Sequence, residues 1–255
     1  MPKEKKYKKI AIIDIGTHKG QELLSLFSIR YPIKSLVITV FASLLRAIIK
    51  LEINQTNIAV IKNKIRTCIT CLHAKKLRDK FHLISIEPNY RLFNSRIYSL
   101  IDDLFPLAVG ESKGPVIELR KLFHANRDIY SQGSSIYSNK PNVTLDHFYH
   151  VACIQPDTLA IEISKLPALK DLPVIIRVNC EGSEDELIRE FYNVFGDRLL
   201  LILGSLDDVG RVKGSERQLQ LLEFIKSNKL DFIKFSEDQS SWLESHKSIL
   251  GFLKE

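Results

Sequence analysis

Short apolar runs punctuate the chain, and amphipathic stretches separate them. Lys9 to Ile15 is rich in Ile and almost uninterrupted, the pattern of a strand buried on both faces of a parallel sheet. Lys19 to Ile29 puts Leu23, Leu24 and Phe27 on one helical face, and Pro32 ends that helix. His82 to Glu87 reads as a second strand, and Asn89 to Leu100 as helix after Pro88. Phe105 to Val109 is a third strand, Gly110 to Gly114 a turn, Pro115 to Leu119 a strand, and residues 124–142 a polar loop. Thr158 to Ile163 is either a short edge strand or a helix start. Val174 to Val178 and Leu199 to Leu203 are buried strands. Between them, Glu184 to Phe195 is a helix whose first turn is acidic, as the macrodipole favours. Ser215 to Ser227 is a helix with Leu219, Leu222 and Ile225 on one face. Asp231 to Phe235 is the last strand and Ser240 to Leu253 the last helix.

Strands alternating with helices predict an α/β fold with a doubly wound, mostly parallel sheet in a single domain of residues 1–255. In such sheets ligands sit beyond the carboxyl ends of the strands. Residues 31–80 interrupt the alternation after the first βα unit. Leu36, Val40, Leu44, Leu45, Ile48 and Ile49 fall near helical spacing, so the insertion reads as largely helical. It has three open uses: packing on the domain, pairing in a homodimer, or lying on a membrane surface.

Composition narrows this picture little. The chain has 255 residues, 45% of them hydrophobic, with a net charge of +7. A basic balance attracts polyanions, but no single run is long enough to act as a binding tail. Cys68 and Cys71 form a CxxC near His73 and His82. No second pair stands at zinc-site spacing, so the four cysteines read as ordinary reduced thiols and no metal is expected. The apolar run after the basic N-terminus is too short for a signal peptide and is broken by Asp14. Ser35 to Ile49 is too short to span a bilayer and carries Arg46. The expectation is a cytoplasmic protein with no membrane span.

The strand ends carry the candidate chemistry. Asp14 ends the first strand and Glu87 the second. A carboxylate at the second position can accept hydrogen bonds from vicinal ribose hydroxyls. Gly16 and Gly20 allow close approach in the first turn. The phosphate-cradling GxGxxG is absent, since His18 stands two residues after Gly16, so a nucleoside without pyrophosphate fits better than a dinucleotide. That points towards S-adenosylmethionine.

The motifs at these ends resemble those of the FkbM family of SAM-dependent methyltransferases. "IDIGTHKGQE" resembles the family's DIGANxGxxS/T, and "ISIEPNYRLF" its FEPxPxxxxxL. "LAVGESKGPVIEL", "QGSSIY" and "IIRVNCEGSEDELI" resemble AlSdxxGxxxf, gxSSL and LKIDVEGAExxVL. They occur in family order between residues 12 and 188. The resemblance implies a Rossmann-like class I methyltransferase fold. It places Asp14, Gly16, Thr17, His18 and Gly20 around the methionine and ribose of SAM. Glu87 would hold the ribose, Pro88 and Asn89 would lie beside the adenine, and Ala108 and Val109 against it. It implies O-methylation of a sugar, polysaccharide or related hydroxyl. Two positions depart from the pattern: His18 stands for the family Asn, and Asn179 for the family Asp near the point of transfer.

Methyl transfer to a hydroxyl needs alignment and benefits from a base. Glu181 is the favoured base, with Asn179 beside it; His18, His147 and His150 are further candidates. A structural role for Glu181, accepting backbone N–H groups at the next helix start, is the competing reading. Ser134 and Ser135 are candidates for the acceptor side, a small molecule or glycan. A nucleic-acid methyltransferase and a non-catalytic methyltransferase-like scaffold are the alternatives. The first lacks an aromatic-rich target-base motif, so no nucleic acid is expected. The second rests on Asn179 and His18.

Overall fold

The run Ile10–Ile15 forms strand β1, with Ile10, Ala11, Ile12 and Ile13 all fully buried, as a central parallel strand requires. It pairs in parallel with β2 (Phe81–Ile86) on one side and β7 (Val174–Val178) on the other. With β3 (Asp103–Phe105), β8 (Leu199–Gly204) and β9 (Phe232–Lys234) they make a six-stranded, all-parallel sheet of order β3-β2-β1-β7-β8-β9. The structure is a computed structural model that describes residues 6–20, 24–27, 33–34, 36–42, 55–111, 116–128, 130, 132–234 and 240–254. The chain builds outwards from β1 to β3, then returns to the other side of β1. The topological switch point therefore lies between β1 and β7, a Rossmann-like arrangement.

The chain divides into two compact units. Residues 9–19 and 81–235 hold the sheet. Its core joins Ile13, Ile15, Ile84, Ile176 and Val178 to helices that follow the strands. Residues 1–8, 20–80 and 236–255 form the other unit. There the helix α1 (Gln55–Lys76) packs on the C-terminal helix Ser240–Gly251, and Tyr7 bridges to Leu253. Cys71 and His246 meet between those two helices, Sγ to Nδ1 at 3.8 Å.

On the sheet unit, α2 (Pro156–Ser164), α3 (Glu184–Phe195), α4 (Asp207–Lys213) and α5 (Ser215–Ser227) supply Leu159, Ile163, Leu187, Phe191, Val209, Leu221 and Ile225 to the core. Glu184, Asp185 and Glu186 fill the first turn of α3, as its dipole favours. A second sheet, of order β4-β6-β5, is built from β4 (Ala108–Val109), β5 (Ile117–Ala125) and β6 (Val143–Ile154). The β5–β6 pairing is antiparallel and shifts register between Phe123 and Ala125.

Several elements differ from the sequence reading. The expected strand Phe105–Val109 is split: β3 belongs to the parallel sheet, and Ala108–Val109 crosses to pair with Cys153 and Ile154 of β6. The strand expected at Pro115–Leu119 runs on to Ala125, inside the expected loop. Residues 156–164 are helix, initiated by Pro156 at a first-turn position. Asn89–Leu100 holds two 3₁₀ turns, Tyr90–Leu92 and Arg96–Leu100, in place of an α-helix. On α5 the buried side chains are Leu221 and Ile225, while Leu219 and Leu222 are exposed. Of the helix read over Lys19–Ile29, only the 3₁₀ turn Leu24–Phe27 falls among the described residues. Residues 43–54 of the expected insertion lie outside them, as do residues 112–115 and Phe235. No helix among the described residues is long and apolar enough to cross a membrane.

Candidate active site at the carboxyl ends of the strands

Asp14 is one residue short of the end of β1 and 2% exposed. Arg177 stands opposite it on β7 and donates from Nη1 to Asp14 Oδ1 at 3.0 Å and to the Gly16 carbonyl at 2.7 Å. The guanidinium thus locks the first strand end to its neighbour across the switch point. Burial pushes the Asp14 carboxyl above its ordinary range, and Arg177 pulls it back. Thr17 continues the network: its hydroxyl donates to the Asp14 carbonyl at 2.9 Å and accepts from Ser85 at 2.7 Å.

The turn after β1 alternates left-handed residues: Gly16 at φ 78°, His18 at 50° and Gly20 at 62°. Gly16 needs its lack of a side chain for two reasons. Its φ is positive, and a Cβ there would stand 2.0 Å from the Asn179 carbonyl oxygen. The neighbouring chain, at the end of β7, therefore accounts for this glycine. Gly20 falls in the other compact unit.

Glu87 follows β2 and binds the first turn. Its Oε2 accepts from the His18 amide at 2.6 Å, and its Oε1 from the Asn89 amide at 2.8 Å. Tyr98 completes the grip on the same turn, donating to the His18 carbonyl at 2.5 Å. Burial raises the Glu87 carboxyl to about 7 despite the two amides. Each carboxylate oxygen has a second lone pair, so Glu87 retains acceptor capacity beyond these bonds. Pro88, next to Glu87 in the chain, is half-buried, and Asn89 is buried.

At the end of β7 the Asn179 amide donates to the Ile15 carbonyl at 3.0 Å. Next, the Glu184 carboxylate accepts from the amides of Cys180, Glu181 and Gly182 at 2.8, 2.8 and 2.9 Å. The amide-capping role weighed for Glu181 thus belongs to Glu184, three residues later. Glu181 itself is left-handed, φ 63°, and its side chain meets Lys140 in a part-buried ion pair. Lys140 also reaches Asp208 at 3.8 Å, and Arg211 donates to the far oxygen of Asp208 at 3.1 Å. Burial and the proximity of Asp208 raise the Glu181 carboxyl, opposed by Lys140. The result is one ammonium held between two carboxylates.

The second sheet and its loop deliver the remaining groups. Ser135 donates to the Glu181 carbonyl at 2.9 Å, and the Tyr130 carbonyl accepts from His18 Nε2 at 2.9 Å. The Ser134 hydroxyl is buried with no hydrogen-bond partner among the described residues. Val109 is tied in through Ser183, whose hydroxyl donates to the Val109 carbonyl at 2.8 Å; Ala108 packs in the small core under β6. On β5 and β6, His124 and Tyr149 lie with rings 5.1 Å apart. His124 Nδ1 and the Tyr149 hydroxyl are both buried without a partner among the described residues. Arg91 lies 5.5 Å over the Tyr149 ring, and Tyr90 meets it edge-on at 6.2 Å.

Hydrogen bonds therefore join Asp14, Gly16 and Thr17 through Arg177 and Ser85, and His18 and Asn89 through Glu87; at the end of β7, Ser135 and Glu184 hold the Glu181 backbone, and Asn179 bonds Ile15. His147 and His150, the more remote base candidates, lie on β6. Sequence reasoning missed Arg177, Lys140, Asp208, Glu184, Tyr98, His124 and Tyr149. Arg177 had a legible signal, a charge inside the apolar run VIIRV, because such a charge needs a buried partner. Lys140 and Asp208 had none, since only the fold brings them together. Among the described residues, no three His, Cys, Asp or Glu side chains gather as metal ligands. Comparison with family models, with curated proteins and with solved structures gave no match.

Proposed function

We propose that this protein is a SAM-dependent methyltransferase of FkbM type acting on a hydroxyl of a sugar, polysaccharide or related metabolite. The observation that carries this reading is Glu87, a buried carboxylate at the end of the strand beside β1, fixed by two backbone amides and still able to accept. A ribose with two vicinal hydroxyls is the ligand group that such a carboxylate fits. Gly16, Thr17 and His18 would line the adjoining part of that site, and Pro88, Asn89 and Val109 its adenine side. Asp14 acts there through Arg177, by holding the turn.

Bound S-adenosylmethionine supplies a methyl group on a positively charged sulfur. The chain's own contribution is orientation and proton removal. Glu181 is the group to accept the hydroxyl proton. Its burial favours a proton-accepting carboxyl near neutral pH, and Lys140 keeps part of it ionised. Ser134, His124 and Tyr149 hold buried polar atoms suited to an acceptor's hydroxyls.

A non-catalytic binding role is favoured by one observation: Lys140 already occupies the Glu181 carboxylate. Labelled methyl transfer from SAM to a panel of glycans and polyol metabolites separates the two readings. The enzyme reading expects turnover that Glu181→Gln lowers at least a hundredfold with binding of S-adenosylhomocysteine kept. Binding without turnover on any acceptor would favour the non-catalytic role, and no binding would remove the methyltransferase reading.

A further inference from the structure

The helix α1 is built inside out. Among its described side chains the fully buried ones are small, Cys71 and Ala74, while Ile58, Ile65, Ile69 and Leu72 face solvent. Their spacing of seven, four and three residues places all four on one stripe of a 3.6-residue helix. Ile69 is 61% exposed, more than a side chain that closes a core would be. The same unit exposes Val37, Ile38 and Phe41 on the helical residues 36–42, Phe41 at 64%. Scattered exposed aliphatics are ordinary; a stripe along a 22-residue helix is not.

The charge on α1 says what covers the stripe. The helix carries Lys62, Lys64, Arg66, Lys75 and Lys76 and has no Asp or Glu at all. Lys62 and Arg66 project on the edge of the apolar stripe, and both are exposed. Two copies meeting through this face would set like charges against each other. A neutral apolar groove would offer no countercharge to the exposed Lys62 and Arg66. A surface that is apolar beneath and anionic on top satisfies both features: the aliphatics enter the acyl boundary while the Lys and Arg heads reach the headgroups. Lys62, Lys64 and Arg66 in mid-helix rule out a spanning orientation, so the helix lies in the plane.

We propose that α1 docks this protein on anionic lipid bilayers, with Ile58, Ile65, Ile69 and Leu72 inserted and Lys62 and Arg66 on phospholipid headgroups. This surface lies in a different unit from the candidate active site, and the proposal stands independently of it.

The test is co-sedimentation of the full chain with phosphatidylcholine vesicles, with and without roughly 30 mol % phosphatidylserine. The expected result is binding to the anionic vesicles that weakens in roughly 0.5 M salt. Ile65→Gln with Ile69→Gln should lower the partition at least about a hundredfold, the lower end of what two buried aliphatic side chains contribute. Lys62→Gln with Arg66→Gln should lower it roughly 20- to 30-fold on anionic vesicles, at about fivefold per charge. All four side chains are exposed, so each variant should melt with the wild type. Absence of vesicle binding overturns the proposal. So does binding that neither pair changes, or a stripe variant whose only effect is to dissociate a dimer.

Discussion

The Asn179 carbonyl lies where a side chain on Gly16 would be: a Cβ there would stand 2.0 Å from that oxygen. The two residues end adjacent parallel strands on either side of the switch point. Their backbones approach so closely that the first turn admits glycine alone. Gly16→Ala combines a left-handed alanine with a backbone clash. It should cost about 3 kcal/mol or more, read as a loss in denaturant midpoint with unchanged slope.

Arg177 and Asp14 form a buried pair, each about 3% exposed at the side chain. Removing one partner strands the other charge. Arg177→Met should destabilise by roughly 3–5 kcal/mol, and adding Asp14→Leu should recover most of that. A double-mutant cycle by urea denaturation checks it. Equal, additive losses would contradict the pairing.

Glu87 gives a pH prediction with a definite sign. Its folded pKa, about 7, lies above the ordinary 4.5, so the folded state keeps a proton that the unfolded chain releases. Its contribution to stability is full below pH 4.5 and is lost as pH rises through 7, on the order of 3 kcal/mol in all. A ribose needs the ionised form, so S-adenosylhomocysteine should bind roughly tenfold tighter at pH 8 than at pH 6. Calorimetric titration of wild type and Glu87→Gln checks this, and the variant should show a flat profile.

Glu184 and Glu181, three residues apart, divide the labour at the end of β7. Glu184→Ala removes the acceptor of three amides and should cost about 2–4 kcal/mol of stability. Lys140→Met removes the cation between Glu181 and Asp208. It should raise the Glu181 carboxyl further and move the rising limb of any pH–rate profile to higher pH.

The parallel sheet was legible because its strands are continuous apolar runs, and these have no other comfortable home. β1, β7 and β8 fall within a residue of their expected positions, and α3 lies where expected. The second sheet was legible only in β4 and the start of β5, and β6 was missed. β6, VTLDHFYHVACI, is half-exposed and mixes polar residues with aromatics, so it lacks the apolar run that marks a buried strand. The strand ends at Ile15, Ile86 and Val178 were legible from the apolar runs that precede them. The partners of the carboxylates stayed hidden, because Lys140 and Asp208 lie 41 and 27 residues from Glu181 in opposite directions along the chain.

The central claim is that the end of β2 holds the nucleoside of SAM. Thermal unfolding with and without S-adenosylhomocysteine, on wild type and Glu87→Gln, tests it most directly. At a hundredfold excess over the dissociation constant the ligand should add roughly 2.7 kcal/mol, or about 5–10 °C for a chain of this size. A shift in wild type that shrinks in the variant is the predicted result. An unshifted wild type at millimolar ligand contradicts the account.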